Sequence, residues 1–385
     1  MIRRGEKDRY LGDNKKETIG VILLNLGGPD SIQAVRPFLY NLFSDRQIIQ
    51  LGLSFMQRPL AWLISTIRSI KTKKMYSLIG NKSPILDITM AQAKALEAAL
   101  NLSSIKSPQP PFTKGGDTGE KITPPFSTGG LGGITNSSPS FKVYIGMRYW
   151  HPLMEEVIPE IYNAGINKLI VISLYPQYSV ATSGSSFSKL KEVVADYSIE
   201  IFCISSWYNH PLYIEALADV IKKGMESFTP SLALPPRGGG VGGGDIHVLF
   251  SAHSLPQKII DEGDPYVYQI MGTIEEIIKR ISIKWHLSYQ SKSGPVRWLE
   301  PSTDEKLKEL AGEGVKNVLV VPISFVSDHI ETLYEIDILY KNLAEKLGIK
   351  LKRVESLNTH PVFIGALKDM VQKNVKEAGW TQIQR

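Results

Sequence analysis

A single cysteine, Cys203, stands among 385 residues. That scarcity excludes an intrachain disulfide, a four-cysteine zinc site and an all-cysteine iron–sulfur cluster by arithmetic alone. Long hydrophobic runs are missing as well. The best candidate, residues 51–70, reads LGLSFMQRPLAWLISTIRSI, and Arg58-Pro59 interrupts it short of the roughly 20 apolar residues that a spanning helix needs. Two readings of it stand: ordinary packing, or an apolar lip on a membrane surface with Lys71, Lys73 and Lys74 as its basic rim. Residues 1–18 are charged and hold no apolar stretch of signal-peptide type, so export is not expected and a cytoplasmic protein is, with peripheral membrane contact through 51–70 as the second of those two readings.

Blocks of like charge are absent too. The net charge is +6 and the pI about 9.0, yet the basic residues are scattered, which argues against nucleic acid as a partner and permits an acidic ligand. Neither G-x-G-x-x-G nor G-x-x-x-x-G-K-[ST] occurs, and Gly27-Gly28-Pro29-Asp30 reads as a tight turn rather than a phosphate loop. The sequence carries no signal of oligomeric state.

What is present is an alternation. Strand-like apolar runs at 20–26, 142–146, 168–174, 200–205, 246–251 and 315–322 are separated by helical patterns, as parallel βαβ units require. The length allows two doubly wound halves, the first ending near residue 210, with a last helix at 362–378 free to pack back across the boundary. Two segments break the order. Residues 101–140 are rich in Pro, Gly, Ser and Thr and nearly duplicate PPFTKGG as PPFSTGG, and 235–244 reads PPRGGGVGGG. The first is expected to be a disordered surface insertion and the second a flexible connector.

The chemistry-bearing residues cluster after strand ends, where open α/β sheets hold ligands. Asp328, Glu331 and Glu335 follow the 315–322 strand at spacings of three and four, one stripe of a helix. Like charges so placed repel by about 0.2–0.5 kcal/mol per pair, so the stripe is either a solvated face or a site for a cation. His253, in FSAHSLP, ends another strand of the same half, so its ring and the acids can converge on one cleft; a histidine with carboxylates suits a borderline divalent ion such as Fe²⁺ and equally suits proton removal. Arg148 and Tyr149 lie beyond a third strand end, where a guanidinium can meet a substrate carboxylate, and His151 reads as a helix-start residue. The Thr182-Ser-Gly-Ser-Ser186 turn either binds an anion or caps its helix.

Taken in order, LLNLGGPD, FLYNLFSDRQII, GMRYWHP, LYPQYS, FSAHSLP, YQSKSGP, FVSDHIETLYE and ESLN resemble ferrochelatase, from about residue 20 to 378 without the two Gly/Pro segments. The resemblance implies an α/β chelatase fold: two Rossmann-like doubly wound domains with parallel sheets and an active-site cleft between them. Its domains fall at 18–210 and 211–355, with 356–385 returning to the first. It implies insertion of Fe²⁺ into protoporphyrin IX with release of two protons, in haem biosynthesis; a coproporphyrin or other metal chelatase, or a non-catalytic tetrapyrrole or metal carrier, is the alternative. Porphyrin and ferrous iron are then substrates, and no permanently bound cofactor or iron–sulfur cluster is expected. The cluster cysteine that some relatives carry within the motif reading Tyr178-Ser-Val-Ala-Thr182 is replaced here by Val180.

By the same resemblance His253 and Glu331 are catalytic, and His253, Glu331 and Glu335 meet the metal. Leu26, Tyr76, Ser83, Arg148, Tyr149 and Trp298 line or close the porphyrin pocket. His253 is either the acceptor of the pyrrole protons or the first iron ligand, with Glu335 and Asp328 as an outer track. Where eukaryotic-type relatives extend that track by another turn, this chain has Leu339.

Overall fold

A computed structural model describes residues 17–49, 51–102, 139–228 and 245–380. Most of the expected insertion at 101–140 and all of the connector at 235–244 lie outside the described residues. The ends of the former belong to regular elements, since residue 102 closes a helix and residue 140 opens a strand.

The first half runs β1 (Thr18–Asn25), α1 (Val35–Ser44), α2 (Gln57–Ser77), α3 (Ile85–Leu102), β2 (Ser140–Met147), α4 (Met154–Asn163), β3 (Lys168–Ser173), a short π-helix (Val180–Gly184), α5 (Ser185–Val194), β4 (Glu200–Ile204) and α6 (Pro211–Glu226). The second half runs β5 (Ile246–His253), α7 (Gln257–Asp261), α8 (Tyr266–Ile278), β6 (Lys284–Gln290), α9 (Thr303–Gly312) and β7 (Asn317–Pro322). It continues through a long π-helix (Glu331–Tyr340), α10 (Lys341–Lys346), β8 (Lys350–Arg353) and α11 (Pro361–Glu377).

Each half forms a four-stranded, all-parallel sheet, ordered β2-β1-β3-β4 and β6-β5-β7-β8. The order places a topological switch at β1/β3 in one sheet and at β5/β7 in the other, and ligands bind outside the carboxyl ends of strands at such points. Runs such as Val21-Ile-Leu-Leu24 and Val318-Leu-Val-Val321 are wholly buried, as strands covered by helices on both faces must be. Two strands escaped the sequence reading. KWHLSYQ of β6 and KLKR of β8 are edge strands, where polar and charged side chains blunt an open edge and hide the apolar signal.

α11 packs against α6 and α3, and one continuous core reaches across both sheets. Phe363 of α11 stacks on Trp207 at 5.8 Å between centroids, with Tyr213 edge-on to the same indole at 4.9 Å. Full burial of one such aromatic stabilises by about 1.5–3 kcal/mol. The two helices carry the same sequence pattern, H-P-x-x-I-x-A-L-x-D, at 210 and again at 360. Their contacts are reciprocal: His210 Nε2 lies 3.1 Å from Asp369, and His360 Nε2 lies 2.9 Å from Asp219. Such partly exposed pairs contribute little energy but fix the register of the two helices. Among the described residues no helix is long and apolar enough to cross a membrane.

Candidate active site

His253 is the last residue of β5, and its backbone is held on both sides. Its N–H donates to Ser324 Oγ at 2.9 Å, and its carbonyl accepts from the Tyr266 hydroxyl at 3.0 Å. With the main chain pinned, the ring Nδ1 meets Glu331 Oε2 at 2.8 Å. Burial disfavours the imidazolium, but the charge and hydrogen bond of Glu331 outweigh it and raise the His253 pKa. Burial likewise opposes ionisation of Glu331, and the His253 charge and hydrogen bond overcome it, drawing that carboxyl down to about 2. The pair is therefore a half-buried, charge-assisted one in which each group favours the charged form of the other.

Glu331 opens the long π-helix, a rare form frequent at functional sites, in which the i→i+5 ladder widens each turn. Glu331 and Glu335 meet at one hydroxyl, that of Ser291, which lies 2.7 Å from Glu331 Oε2 and 2.6 Å from Glu335 Oε2. A serine has one hydroxyl proton, so it can donate to only one of the two at a time. Burial first, and the Glu331 charge second, push Glu335 up to about 7. Ser291 adopts a left-handed backbone with φ of 68°, a conformation that costs a non-glycine residue of order 1 kcal/mol or more and is retained where surrounding structure enforces it. Gln290 Nε2 supports the pair through the Glu331 carbonyl at 3.2 Å and Glu335 Oε2 at 3.4 Å.

Asp328 does not join them. It precedes the π-helix, and Arg353 Nη1, Ser356 Oγ and Asn358 Nδ2 donate to it at 3.0, 2.7 and 2.9 Å. Burial alone would raise its carboxyl, but Arg353 and these donors hold it below the usual carboxylate range. The three acids thus divide into a pair that meets at Ser291 and one anion held by Arg353, because the α-helical spacing expected for Asp328 does not extend back through a loop.

His329 is a residue that sequence reasoning passed over. It is 7% exposed, and its Nδ1 lies 3.0 Å from the Ser327 carbonyl, which assigns the proton to Nδ1. Nε2 then carries the lone pair; it has no hydrogen-bond partner and lies 4.0 Å from Glu331 Oε1. Burial lowers the His329 pKa, which keeps the ring neutral. The only trace in the sequence was its place between two of the striped acids.

The other expected residues separate into two groups. Leu26, which follows β1, faces Tyr175, Phe325 and Glu331 in a cavity of about 30 Å³, and faces His253 and Glu331 in a second of about 70 Å³. Tyr76 is buried, and its pKa is raised by burial and then by the Glu331 charge. Ser83, Arg148, Tyr149 and Trp298 line neither cavity. Ser83 is packed against Gly28, where an added Cβ would come within 2.6 Å of the serine side chain, so the Gly-Gly turn is a close-approach site. Arg148 is already engaged: its Nη2 and the Tyr149 hydroxyl both donate to Asp45 Oδ2 at 2.6 Å, and its Nε donates to Ser185 Oγ at 3.3 Å. The Trp298 indole nitrogen is buried with no hydrogen-bond partner. Among the described residues no three His, Cys, Asp or Glu side chains are arranged to hold a metal ion.

The family model described as Ferrochelatase matches residues 18–110 and 131–375. The chain is 44% identical over 371 residues to the ferrochelatase of Gloeothece citriformis (strain PCC 7424), covering 94% of this chain and 84% of that one. With the ferrochelatase of Geobacter metallireducens it shares 45% identity over 361 residues, 93% of this chain and 98% of the relative. More distantly, the solved structure titled "SirB from Bacillus subtilis with Fe3+" aligns over 62% of this chain and 84% of its own at 13% identity and a TM-score of 0.43. Two parallel α/β sheets with a half-buried His–Glu pair at a switch point, in a chain with these ferrochelatase relatives, define a metal-inserting enzyme. The chain belongs to the ferrochelatase family, and its reaction is the insertion of iron into a porphyrin in haem synthesis.

The raised carboxyl of Glu335 makes a stability prediction. Its folded pKa of about 7 exceeds the ordinary value of 4.5, so the folded state binds the extra proton and stability falls as pH rises through that interval. Glu335→Gln should therefore raise the unfolding free energy at pH 8 by roughly 2–3 kcal/mol and leave it unchanged at pH 4. Denaturant titrations at the two pH values measure this.

Proposed function

We propose that the substrate is protoporphyrin IX, that Fe²⁺ enters it in the cleft between the halves, and that His253 accepts the two pyrrole protons in turn. The observation that carries this reading is the 2.8 Å contact between His253 Nδ1 and Glu331 in the cavity that Leu26 also lines. With Nδ1 turned to the carboxylate, Nε2 is the ring atom left to take a proton from the substrate. Glu331 makes that nitrogen more basic and stabilises the imidazolium once formed. The proton then passes from Nδ1 to Glu331 and through the Ser291 hydroxyl to Glu335, each step spanning 2.8 Å or less. Iron is bound as substrate, exchanging its water for the ring nitrogens as the protons leave. Glu331 and Glu335 supply the negative charge that a divalent ion requires beside a ring losing its protons.

Leu26 gives the ring an apolar support, and Tyr76, Ser83, Arg148, Tyr149 and Trp298 belong to the walls that close over it. The Asp45 carboxylate, in this reading, fixes Arg148 and Tyr149 as a rigid wall. Cavities of about 30 and 70 Å³ are smaller than the 300–1,000 Å³ of ordinary ligand pockets, so the ring enters as the cleft walls part. Anaerobic incubation of the purified chain with Fe²⁺ and either protoporphyrin or coproporphyrin tests the assignment by the free-base spectrum. Faster conversion of protoporphyrin is expected; preference for coproporphyrin reassigns the substrate, and binding without conversion makes the chain a carrier.

The same reading places residues 51–70 on a membrane surface. Phe55, Ile67 and Ile70 are 76, 62 and 65% exposed, Trp62 is 55% exposed, and residues 51–77 hold five Lys and Arg and no acid. Vesicles containing anionic lipid should sediment the wild-type chain, and Trp62→Glu with Ile67→Glu should abolish sedimentation while leaving insertion into detergent-dispersed porphyrin unchanged.

A further inference from the structure

At the end of β5 remote from the cleft, two histidines meet. His247 of β5 and His286 of the edge strand β6 stand two residues apart in register, His247 opposite Lys284 and His286 opposite Leu249, so both rings project from one face of the sheet. Their nitrogens touch. His247 Nδ1 lies 2.8 Å from His286 Nε2, and the rings are within 6° of parallel with centroids 5.1 Å apart, an edge-to-edge meeting. Both side chains are half-buried, on the face of β5 where Leu249 packs against Leu307 and Leu310 of α9. Burial lowers the His286 pKa, and His247 and Lys306 act in the same direction against Glu313 and Glu309, so this ring stays neutral and keeps a lone pair. The neighbouring ammonium groups are already neutralised, Lys284 by Asp245 and Lys306 by Glu309 at 2.7 Å.

Two imidazole nitrogens this close are bridged by one proton or by one metal ion. A proton between them makes a hydrogen bond that amides or hydroxyls provide equally well, without the repulsion that a second proton brings to a histidine pair. We propose that His247 and His286 form a second divalent-metal site, for a borderline ion such as Zn²⁺ or Ni²⁺. Imidazole suits these ions. Bonds of about 2.0–2.1 Å at right-angled to tetrahedral coordination set two such nitrogens roughly 3.0–3.4 Å apart, so an opening of a few tenths of an ångström, with each ring turned about its Cβ–Cγ bond, admits the ion. The bridging proton leaves to solvent and the donor ring takes one on its outer nitrogen, so both rings remain neutral. Water completes the coordination, while Glu309 and Glu313 supply negative charge nearby. Six residues separate His247 from His253 along β5, about 20 Å at the rise of a strand residue, so this site is distinct from the cleft. An ion held there cross-links the edge strand to its neighbour. The proposal does not rest on the roles given to His253 and Glu331.

Equilibrium dialysis of the untagged, porphyrin-free full chain against Zn²⁺ tests it. One binding step is expected that His286→Gln weakens at least about tenfold and His253→Ala leaves unaltered. Glutamine at 286 can still hydrogen-bond His247, so a loss reports ligation rather than disturbed packing. His247→Gln repeats the test should the first variant fail to fold. An isotherm identical in the wild type and His286→Gln overturns the proposal, because the pair is then bridged by a proton alone. So does loss of the step in His253→Ala, which assigns it to the cleft, or its displacement by excess Mg²⁺, which assigns it to carboxylates.

Discussion

Glu331→Gln is expected to lower the turnover of iron insertion about a thousandfold with little change in porphyrin affinity. Glutamine keeps the size of the side chain and can still accept from Ser291, but it carries no charge to favour the imidazolium. Positioned acid–base groups contribute about 10²- to 10⁴-fold, and this substitution removes the partner that sustains one. It also inverts the electrostatics of His253. Burial alone lowers the imidazole pKa, and the Glu331 charge and hydrogen bond are what raise it. In the wild type the rate should climb with pH along a limb centred above 6.5, because His253 must be neutral to accept a proton; in Glu331→Gln the limb should move below 6.5. Stopped-flow absorbance across pH, with the His253 ring followed by NMR, measures both.

His253→Ala should cost a comparable factor, 10² to 10⁴, for the complementary reason. The carboxylate remains, but no group at that point of the cleft holds a lone pair toward the ring. Glu331 would lose the cation that draws it to about 2, and burial would push its carboxyl up, so the variant should take up a proton there near neutral pH. Alanine leaves a space of imidazole size beside Glu331. Imidazole added to the solvent should restore part of the rate in His253→Ala and none in Glu331→Gln, a difference that mere disturbance of the fold would not produce.

Much of this architecture was legible in the chain because burial on both faces of a parallel sheet writes itself as uninterrupted Val, Ile and Leu. Where a strand lies at an edge, as in β6 and β8, that constraint lapses and the pattern lapses with it. The pairing of His253 with Glu331 followed from a position rule, both residues standing at or just past strands of one sheet. What the linear pattern could not carry was the local winding. An α-helical reading joined Asp328 to the stripe and hid His329, whereas the π-helix begins at Glu331 and leaves both in the preceding loop. Ser291 was equally invisible, since its role depends on a left-handed backbone bringing a hydroxyl between two carboxylates from a different element. Arg148's partner was equally out of reach of the linear pattern: Asp45, which accepts from its guanidinium, lies 103 residues away. The His-Pro pattern repeated in α6 and α11 was in plain view, and only the reciprocal histidine–aspartate contacts gave it meaning.

The central claim is that His253 and Glu331 act as one proton-accepting unit. It is tested most directly by single-turnover rates of haem formation from bound porphyrin and anaerobic Fe²⁺ in the wild type, His253→Ala, Glu331→Gln and the double variant. Residues acting as a unit are strongly non-additive, so the double variant should be no slower than the slower single one. Losses that multiply, or a His253→Ala rate near that of the wild type, would contradict the account.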